Sequence, residues 1–256
     1  MGISGNLWLW FKSYLWNHQQ CVKVHNKYSD LLPVLSEISQ GSILGPLMFL
    51  IYVNDILEYT ISSTTLLFAD DTKCFKDIID PTDSVLLQQD IDSLVRWTTT
   101  WNLKFNPSKI TQLSCKSKIP TTYTIRSLPI TKVDNHCDLG IILSSNLSWE
   151  PHLQHIISKA YKMLGLLRHT FSTSIPVNSK KQLYISLIRS QFMYCSVLWK
   201  PYLVKHIQLI ERVQRRATKY ILNNYTSDYK SRLLKLHILS LMYILDLNDI
   251  MFFIRN

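Results

Sequence analysis

Two adjacent carboxylates, Asp70 and Asp71, follow an apolar run in the segment LLFADDTKCF. Adjacent like charges repel each other, and a bound divalent cation would remove that repulsion because carboxylates are its preferred ligands. Asp is also common in tight turns, since it tolerates turn conformations. The apolar residues on both sides predict a β-hairpin with the two acids in its turn. The pair is therefore either a metal site or only a turn.

The composition is that of a folded protein. With 256 residues, 46% hydrophobic content and only six glycines, the chain can form one large domain or two modest ones. The five cysteines are scattered without a CxxC pair, which argues against a disulfide partner or a zinc site and indicates a reducing, intracellular compartment, cytoplasm or nucleus. We expect no membrane segment, because no apolar run reaches about 18 residues and no signal-peptide pattern is present.

Positive charge is concentrated in the second part of the chain. Residues 1–118 hold ten Lys and Arg against eleven Asp and Glu, whereas residues 119–256 hold eighteen against seven. Four of these cations recur at helical spacing: Arg212, Arg215, Arg216 and Lys219. Such a stripe predicts a phosphate-binding face, because four cations repel one another unless they meet an anion. An ordinary solvated helix face is the alternative.

Periodicity predicts an α+β chain that becomes all-α near residue 150. Before that point, helical patterns at 5–19, 43–57 and from about 83 alternate with short extended segments, and the apolar helix over 43–57 is expected to be buried. Further helices are expected over 178–199, over 203–223 and from about 229. The first helix after the boundary has one apolar stripe: Leu153, Ile156, Ile157, Ala160, Leu164 and Leu167.

Five segments follow one another in a defined order along the chain. They are QGSILGPLMFLIYVNDI (Gln40–Ile56), FADD, WNLKFNPSK (Trp101–Lys109), LGIILSSNLSW (Leu139–Trp149) and ERVQRRATKYI (Glu211–Ile221). Each alone is of modest specificity, but the ordered set covers almost the whole chain. It resembles the reverse transcriptases of non-LTR (LINE-type) retrotransposons, especially jockey-like elements. The resemblance implies part of a right-hand polymerase: residues 1–150 as a partial palm of antiparallel sheet and helices, and residues 151–256 as an all-α thumb.

The resemblance also implies an activity and its partners. An RNA-directed DNA polymerase copies an RNA template onto a DNA primer from dNTPs. Two Mg²⁺ or Mn²⁺ ions about 4 Å apart activate the primer 3′-hydroxyl and neutralise the triphosphate. Asp70 would be the main metal ligand and Asp71 a weaker partner. Lys109 would protonate the leaving pyrophosphate, although a solvated Lys after a turn is an equally good interpretation.

Other residues are assigned by the same resemblance. The basic stripe of Arg212, Arg215, Arg216 and Lys219 would contact the nucleic-acid backbone in the thumb. The residues expected against the template and the incoming nucleotide are Gln40, Gly41, Ser42, Phe68 and Ala69. Ser42 and Gly41 have a second interpretation, as the cap and the turn of the helix that follows them.

A complete two-metal site needs a third carboxylate. In the family it comes from a strand before the Gln-Gly motif, but only Asp30 and Glu37 precede Gln40 here, and Asp30 lies in the polar turn NKYSD. We therefore expect a polymerase fragment without fingers and without the first catalytic strand, with little or no activity alone. A non-catalytic nucleic-acid-binding remnant and a non-functional fragment of a decayed element are the alternatives.

Overall fold

The computed structural model describes residues 4–34, 41–116, 119–171 and 175–255. The chain forms two compact units, Met1–Phe105 and Asn106–Asn256. Helices and short strands, most of them in antiparallel pairs, occur together, so the α+β class is confirmed. The palm and thumb, with a boundary near residue 150, stay a prediction.

The first unit has three α-helices, a 3-10 helix and three two-stranded antiparallel pairs in its described part. The pairs are β1 with β4, β2 with β3 and β5 with β6. In chain order the elements are α1 (Gly5–Leu15), β1 (Gln19–Gln20), β2 (Lys23–Val24), β3 (Lys27–Tyr28), β4 (Leu32–Pro33), α2 (Gly45–Val53), the 3-10 helix Asn54–Tyr59, β5 (Thr64–Phe68), β6 (Asp71–Phe75) and α3 (Pro81–Thr100).

The core of the first unit is small. Val53 and Ile56 pack against Leu94 and Trp97 of α3. Along α2, Val53 is the one buried residue, and Leu47 and Leu50 are each 51% exposed. The predicted burial of the helix over 43–57 is therefore wrong for the unit as described, because no described element covers the outer face of α2.

The helix α3 begins at a well-formed cap. The Asp80 carboxylate accepts hydrogen bonds from the backbone N–H groups of Thr82 and Asp83, while the Asp83 carboxylate accepts from the N–H of Asp80. This reciprocal capping box satisfies N–H groups that have no partner within the helix. Because Pro81 occupies the first helical position, the helix starts two residues earlier than the periodicity predicts.

The second unit combines short strands with helices. β7 and β10 are parallel, whereas β8 pairs with β9 and β11 with β12 in antiparallel fashion. The elements are the 3-10 helix Pro107–Lys109, β7 (Thr111–Leu113), β8 (Thr124–Ile125), β9 (Leu128–Pro129), β10 (Thr131–Val133), β11 (Asn135–Asp138), β12 (Ile141–Ser144), α4 (Glu150–Thr170), α5 (Val177–Leu183), the π-helical segment Tyr184–Arg189, α6 (Ser190–Met193), α7 (Ser196–Trp199), α8 (Val204–Leu222), α9 (Tyr229–Leu236) and α10 (Leu241–Arg255).

The core of the second unit lies between α4, the helices over 177–199 and α8. The predicted apolar stripe of α4 is confirmed, since five of its six residues are buried and Ile157 packs against them. Trp199, Ile210 and Ala217, on α7 and α8, are completely buried in the same cluster. The strand β12 joins this core through Ile141, so the strands before residue 150 pack with the helices after it.

Two of the predicted helices are interrupted. The helix expected over 178–199 breaks at Cys195, which has a left-handed φ of 48°, and the indole N–H of Trp199 donates to the carbonyl of Tyr194 that the break leaves open, at 3.0 Å. The tail helix breaks at His237, with a φ of 50°. Left-handed residues end helices because their N–H groups turn back to the last carbonyls, and hydrophobic periodicity does not detect them.

No single described helix is both long and apolar enough to cross a membrane. The pair of α9 and α10, bent by 56°, passes that test only when its two helices are taken together. All five cysteines are present as thiols without disulfide partners.

Candidate active site on the β5–β6 hairpin

The acidic pair lies at the tip of a regular β-hairpin. β5 and β6 pair from Thr64 with Phe75 to Phe68 with Asp71, and the two residues between them form the turn. The turn is Ala69–Asp70, so the prediction that both acids occupy it is wrong by one residue. Asp71 is instead the first residue of β6. A two-residue connection holds both backbones rigidly, because the last strand pair is adjacent to the turn.

The turn imposes an unusual conformation on Ala69. Its φ of 51° lies in the left-handed region, whereas Asp70 is not among the residues with positive φ. This is the φ pattern of a type II′ turn, whose first central position is normally glycine. For a residue with a Cβ, that region costs roughly 1–2 kcal/mol. Backbone strain therefore lies directly beside the two carboxylates.

Replacement of Ala69 by glycine should release this strain. We expect the free energy of unfolding of the first unit to rise by about 0.5–1 kcal/mol, less than the full strain, because glycine also gains conformational entropy in the unfolded chain. Urea unfolding followed by circular dichroism measures the change. Replacement of Gln89 by glycine, at an exposed position within α3, is the matched control and should destabilise, as glycine does within a helix.

One face of the hairpin is packed and the other is exposed. Leu67 and Cys74 pack against the core of the first unit, while Leu66 and Phe68, on the opposite face, are 52% and 64% exposed. Asp71 faces Phe68 across the strands, on the exposed side. The described part of the first unit thus anchors the hairpin from one side and leaves an apolar surface beside the acids.

A buried carboxylate fixes the chain that enters the hairpin. Asp90 of α3 is only 5% exposed and accepts from the backbone N–H groups of Ile61, Ser62 and Ser63 at 3.1, 2.9 and 2.7 Å. The hydroxyl of Ser63 also donates to it at 2.6 Å. Burial alone would raise the pKa of Asp90, but these hydrogen bonds together lower it below its ordinary value.

A second polar contact connects the same layers. The indole N–H of Trp97, also on α3, donates to the Asp55 carboxylate at 2.8 Å. Asp55 belongs to the 3-10 helix after α2, and its carboxylate binds Trp97 of α3 rather than adding to the acidic pair. Sequence reasoning missed both Asp90 and Asp55. A polar residue one turn before Leu94 on an otherwise apolar helix face was the available signal for Asp90.

In the segment before α2, Ser42 bonds to the start of the helix, although Leu44, the residue that directly precedes the helix, forms no side-chain capping bond. The hydroxyl of Ser42 accepts from the N–H of Gly45, the first residue of α2, at 2.9 Å. Gly41 has a φ of 82°, where a side chain is strained, although an added Cβ would meet no described atom within 4 Å. Gln40, the central residue of this predicted motif, lies outside the described residues. A role of these residues toward a nucleotide stays a prediction.

Lys109 belongs to the second unit, whereas Asp70 and Asp71 belong to the first. It ends the exposed 3-10 helix Pro107–Lys109, whose start is capped by Asn106: the Asn106 side chain accepts from the N–H of Ser108 at 3.1 Å. This geometry fits a solvated lysine after a turn, and the catalytic role of Lys109 stays a prediction.

The basic stripe lies on one exposed side of α8. Arg212, Arg215 and Arg216 are exposed and Lys219 is half-buried. Arg215 lies over the ring of Tyr229 at 4.5 Å and Arg216 over the ring of Tyr161 at 5.0 Å. Neither arginine forms an ion pair with a carboxylate of the described residues. Aromatic rings thus orient two guanidinium groups without neutralising them.

A buried polar network lies beside the basic stripe, where α8 packs against its neighbours. Glu211 accepts from the Tyr229 hydroxyl at 2.5 Å and from the N–H of Met242 at 3.1 Å. Gln214 accepts from the Tyr184 hydroxyl at 2.6 Å and donates to the carbonyl of Leu239. Burial raises the pKa of the Tyr229 phenol, as does its bond to Glu211. This network fixes the rotation of α8, and therefore the direction of the basic stripe.

The acidic pair fits a divalent cation only in part. Its carboxylates are the right type of ligand, they are exposed, and the hairpin presents them close together. Across the described residues, however, no group of three His, Cys, Asp or Glu side chains is arranged to hold a metal ion. Asp30 lies after β3, outside any strand. A complete metal site would therefore need further ligands, beyond the described residues, in addition to Asp70 and Asp71.

A model of the family described as reverse transcriptase (RNA-dependent DNA polymerase) matches residues 1–166, well over half of the chain. The chain belongs to the reverse transcriptase family. The match spans the hairpin with the acidic pair, the Trp101–Lys109 segment and the β11–β12 strands, so the resemblance inferred from these motifs is confirmed.

Similar proteins indicate which type of reverse transcriptase this chain is. The chain is 24% identical over 82% of its length to a probable RNA-directed DNA polymerase from transposon X-element, and 23% identical over 82% to one from transposon BS, both of Drosophila melanogaster. It is 24% identical over 84% of its length to the RNA-directed DNA polymerase from mobile element jockey of the same fly. It is therefore a reverse transcriptase domain of the non-LTR, jockey-like type. The chain spans about a quarter of the length of these relatives. No solved structure matches it.

Proposed function

We propose that this domain takes part in RNA-directed DNA synthesis, with Asp70 as the principal metal ligand and Asp71 as a second. The observation that carries the proposal is the pair of exposed carboxylates on a rigid two-residue hairpin within the region that matches the family. In this proposal the substrates are an RNA template, a DNA primer and dNTPs, and the cofactor is Mg²⁺ or Mn²⁺.

The ions, when bound, would activate the primer hydroxyl and stabilise the charge of the triphosphate. The chain's own contribution is positional. The hairpin tip holds Asp70 in a turn and Asp71 on a strand, while Asp90 fixes the segment that leads into β5. Phe68 and Ala69, at the same tip, are proposed to lie beside the incoming nucleotide, and Lys109 to protonate the pyrophosphate that leaves.

A third carboxylate is part of the proposal. We propose that an additional strand carries this carboxylate and packs on the exposed apolar face of Leu66 and Phe68. Unpartnered apolar surface next to a sheet favours such packing. For the 256-residue chain alone we propose little or no polymerase activity. A palm over residues 1–150 and a thumb over residues 151–256 complete this interpretation.

The test is template-dependent dNTP incorporation with Mg²⁺ or Mn²⁺. It compares the 256-residue chain with the longest product of the open reading frame that contains it. Incorporation by the longer product and background incorporation by the chain alone are expected. Robust incorporation by the chain alone would show that two hairpin carboxylates suffice and would overturn the need for a third. Background incorporation by both would contradict the polymerase proposal and favour a binding role.

A non-catalytic role in nucleic-acid binding is the second candidate, and the basic stripe favours it. Arg215 and Arg216 are exposed, oriented by aromatic rings and unpaired with any described carboxylate. Such guanidinium groups suit phosphate oxygens, which they can bind through two hydrogen bonds each. Binding of this kind needs no metal ligand and no third carboxylate.

The double replacement of Arg215 and Arg216 by alanine should weaken the binding of single-stranded RNA. If each arginine contacts one phosphate, the slope of log K against log salt falls by roughly 1.4, since each single-strand contact contributes about 0.7. Fluorescence anisotropy at several salt concentrations measures this slope.

The double replacement of Lys205 and Lys235 by alanine is the control for net charge, because both lysines are exposed and lie outside the stripe. An equal loss of slope in this control would mean that binding follows overall charge rather than the stripe. The replacement of Asp70 by asparagine should leave binding intact.

A further inference from the structure

The last helix of the second unit, α10, is apolar on two opposite sides. Leu241 and Leu245 are completely buried within the unit. The side that points away from them, which we call the outward face of α10, carries five large apolar residues that are between 45% and 73% exposed: Tyr243, Leu247, Ile250, Met251 and Ile254. A helix that is apolar all round is normally buried all round. The outward face therefore lacks a partner in the described part of the chain.

Polar contacts fix the rotation of α10 about its own axis. The side chain of Asn248 donates to the Ser196 hydroxyl of α7 at 3.1 Å. Lys200, the residue directly after α7, forms ion pairs with Asp246 and Asp249 at 2.6 Å each. These contacts would break if α10 rotated to bury its outward face within its own unit. The apolar residues of that face are thus held toward the outside.

The spacing within the outward face is that of a helix-pairing seam. Tyr243, Leu247, Ile250 and Ile254 follow one another at intervals of four, three and four residues. Alternation of these intervals keeps side chains along one line of a helix, where a second helix can pack against them. The pattern is also symmetric about its midpoint, which lies between Leu247 and Ile250. Because reversal of the helix direction reproduces the same pattern, the face can pair with a copy of itself.

We propose that the outward face of α10 pairs with the same face of a second copy of this chain, with the two helices antiparallel about a two-fold axis. Pairing about such an axis is the commonest arrangement of homo-oligomers, and it uses one patch on both subunits. In this arrangement Leu247 of each copy meets Ile250 of the other. The face contains no charged residue, so the two copies meet there without repulsion.

The available apolar area is that of a dimer interface. Leu198 of α7 and Tyr202, which lie on either side of Lys200 in the chain, are 62% and 83% exposed and extend the apolar surface beside α10. A large side chain at about half exposure offers roughly 80–120 Å², because full burial of an aromatic residue removes about 150–250 Å² from water. Together with the outward face, these side chains offer roughly 600–800 Å² per copy, near the 800 Å² per partner of a standard interface.

A membrane surface fits the outward face less well. Helices that lie on membranes are rich in Lys and Arg on their polar side, which attracts anionic lipids. The helix α10 has Arg255 as its one basic residue, against the two acidic residues Asp246 and Asp249. Its polar side therefore offers anionic headgroups little attraction, and a protein surface is the better partner.

Sedimentation velocity of the purified 256-residue chain tests this proposal, with a thiol reductant to prevent cross-links through its free cysteines. We expect a reversible equilibrium of monomer and dimer with a Kd of about 1–100 µM. A chain that stays monomeric throughout this range would overturn the proposal, and its flotation with vesicles of phosphatidylcholine and phosphatidylserine would assign the face to a membrane. Oligomers that grow without limit would contradict a closed pair. Loss of the dimer in the longest product of the open reading frame would assign the face to residues outside this chain.

Charge substitutions within the outward face locate the interface and its direction. Leu247→Lys and Ile250→Glu should each raise the dimer Kd at least tenfold, because each buries an unpaired charge. A mixture of the two variants should restore dimers, because in the antiparallel pair the two introduced charges oppose each other. A folded variant that dimerises as tightly as the wild type would contradict the proposal. Failure of the mixture to dimerise would reject the antiparallel arrangement.

Leu166→Lys and Leu166→Glu are the matched controls. Leu166 is 57% exposed on α4, outside the outward face, so neither change should alter the dimer Kd by more than twofold. An equal loss in these controls would show that association follows overall surface properties and would overturn the proposal. Thermal melts verify that each variant is folded. Asp70→Asn should leave the dimer intact, because α10 belongs to the second unit, so this proposal and the polymerase proposal can fail separately.

Discussion

Replacement of Asp70 by asparagine is expected to lower dNTP incorporation by about a thousandfold in the longest active product that contains this chain. Bound metal ions stabilise the transition state of such a reaction by several kcal/mol. About 1.4 kcal/mol of this stabilisation corresponds to a factor of ten in rate. The asparagine side chain would keep the size of the aspartate but lose the negative charge that holds a divalent cation. Single-turnover incorporation in Mg²⁺ measures the effect. Asp71→Asn should have a smaller effect, about tenfold.

The matched control is the replacement of Asp77 by asparagine. Asp77 is an exposed carboxylate shortly after β6, and its removal should leave incorporation within about twofold. Equal losses in the Asp70 and Asp77 variants would show that charge near the hairpin matters in a general way. Full activity of Asp70→Asn would falsify the assignment of Asp70 as a metal ligand.

Replacement of Asp90 by alanine is expected to produce the largest loss of stability in the first unit, about 3–5 kcal/mol. The substitution removes a buried charged acceptor of four hydrogen bonds and leaves the N–H groups of Ile61, Ser62 and Ser63 without that partner. Urea unfolding monitored by tryptophan fluorescence measures this loss, because Trp97 lies in the same core.

Asp92→Ala, on the same helix, is the control. Asp92 is exposed, and its carboxylate accepts from the Gln88 side chain at 2.9 Å, so its removal should cost little. Comparable stability of the Asp90 and Asp92 variants would contradict a role of Asp90 in holding the entry to β5. A loss confined to Asp90→Ala would support it.

The contribution of Asp90 should depend on pH. Its pKa is lowered in the folded chain, so the ionised carboxylate stabilises the fold above the unfolded value, about 3.9. This contribution is lost as the pH falls through the lower folded pKa. The difference in unfolding free energy between the wild type and Asp90→Asn should therefore be constant near pH 7 and shrink below about pH 4. A difference that grows on acidification would contradict the hydrogen-bonding account.

Local signals of the sequence predicted much of this fold. The apolar residues on both sides of FADD predicted the hairpin, and the 3.6-residue stripe of α4 predicted its buried face. The stripe follows from the periodicity of the backbone itself, since side chains recur every three or four residues on one face of a helix. The family was likewise accessible, because its motifs consist of residue types at fixed spacing.

Other features lay beyond such patterns. The outer face of α2 is apolar yet exposed, because burial depends on which elements surround a helix and not on its composition. The helix breaks at Cys195 and His237 are single left-handed residues with no sequence mark such as glycine. The register of the two strands places the turn at Ala69–Asp70 rather than at Asp70–Asp71. A shift of this register by one residue would move the side chains of a strand to the other face of the hairpin.

The sequence by itself determined the family, the α+β class, the acidic pair and the basic stripe, because each depends on local residue identity and spacing. Only the tertiary structure decided that Asp90 anchors the entry to the hairpin, that tyrosine rings orient Arg215 and Arg216, and that Lys200 holds α10 in place. These relations join residues that belong to different elements of the chain. Packing alone brings such residues together, and no local period records it.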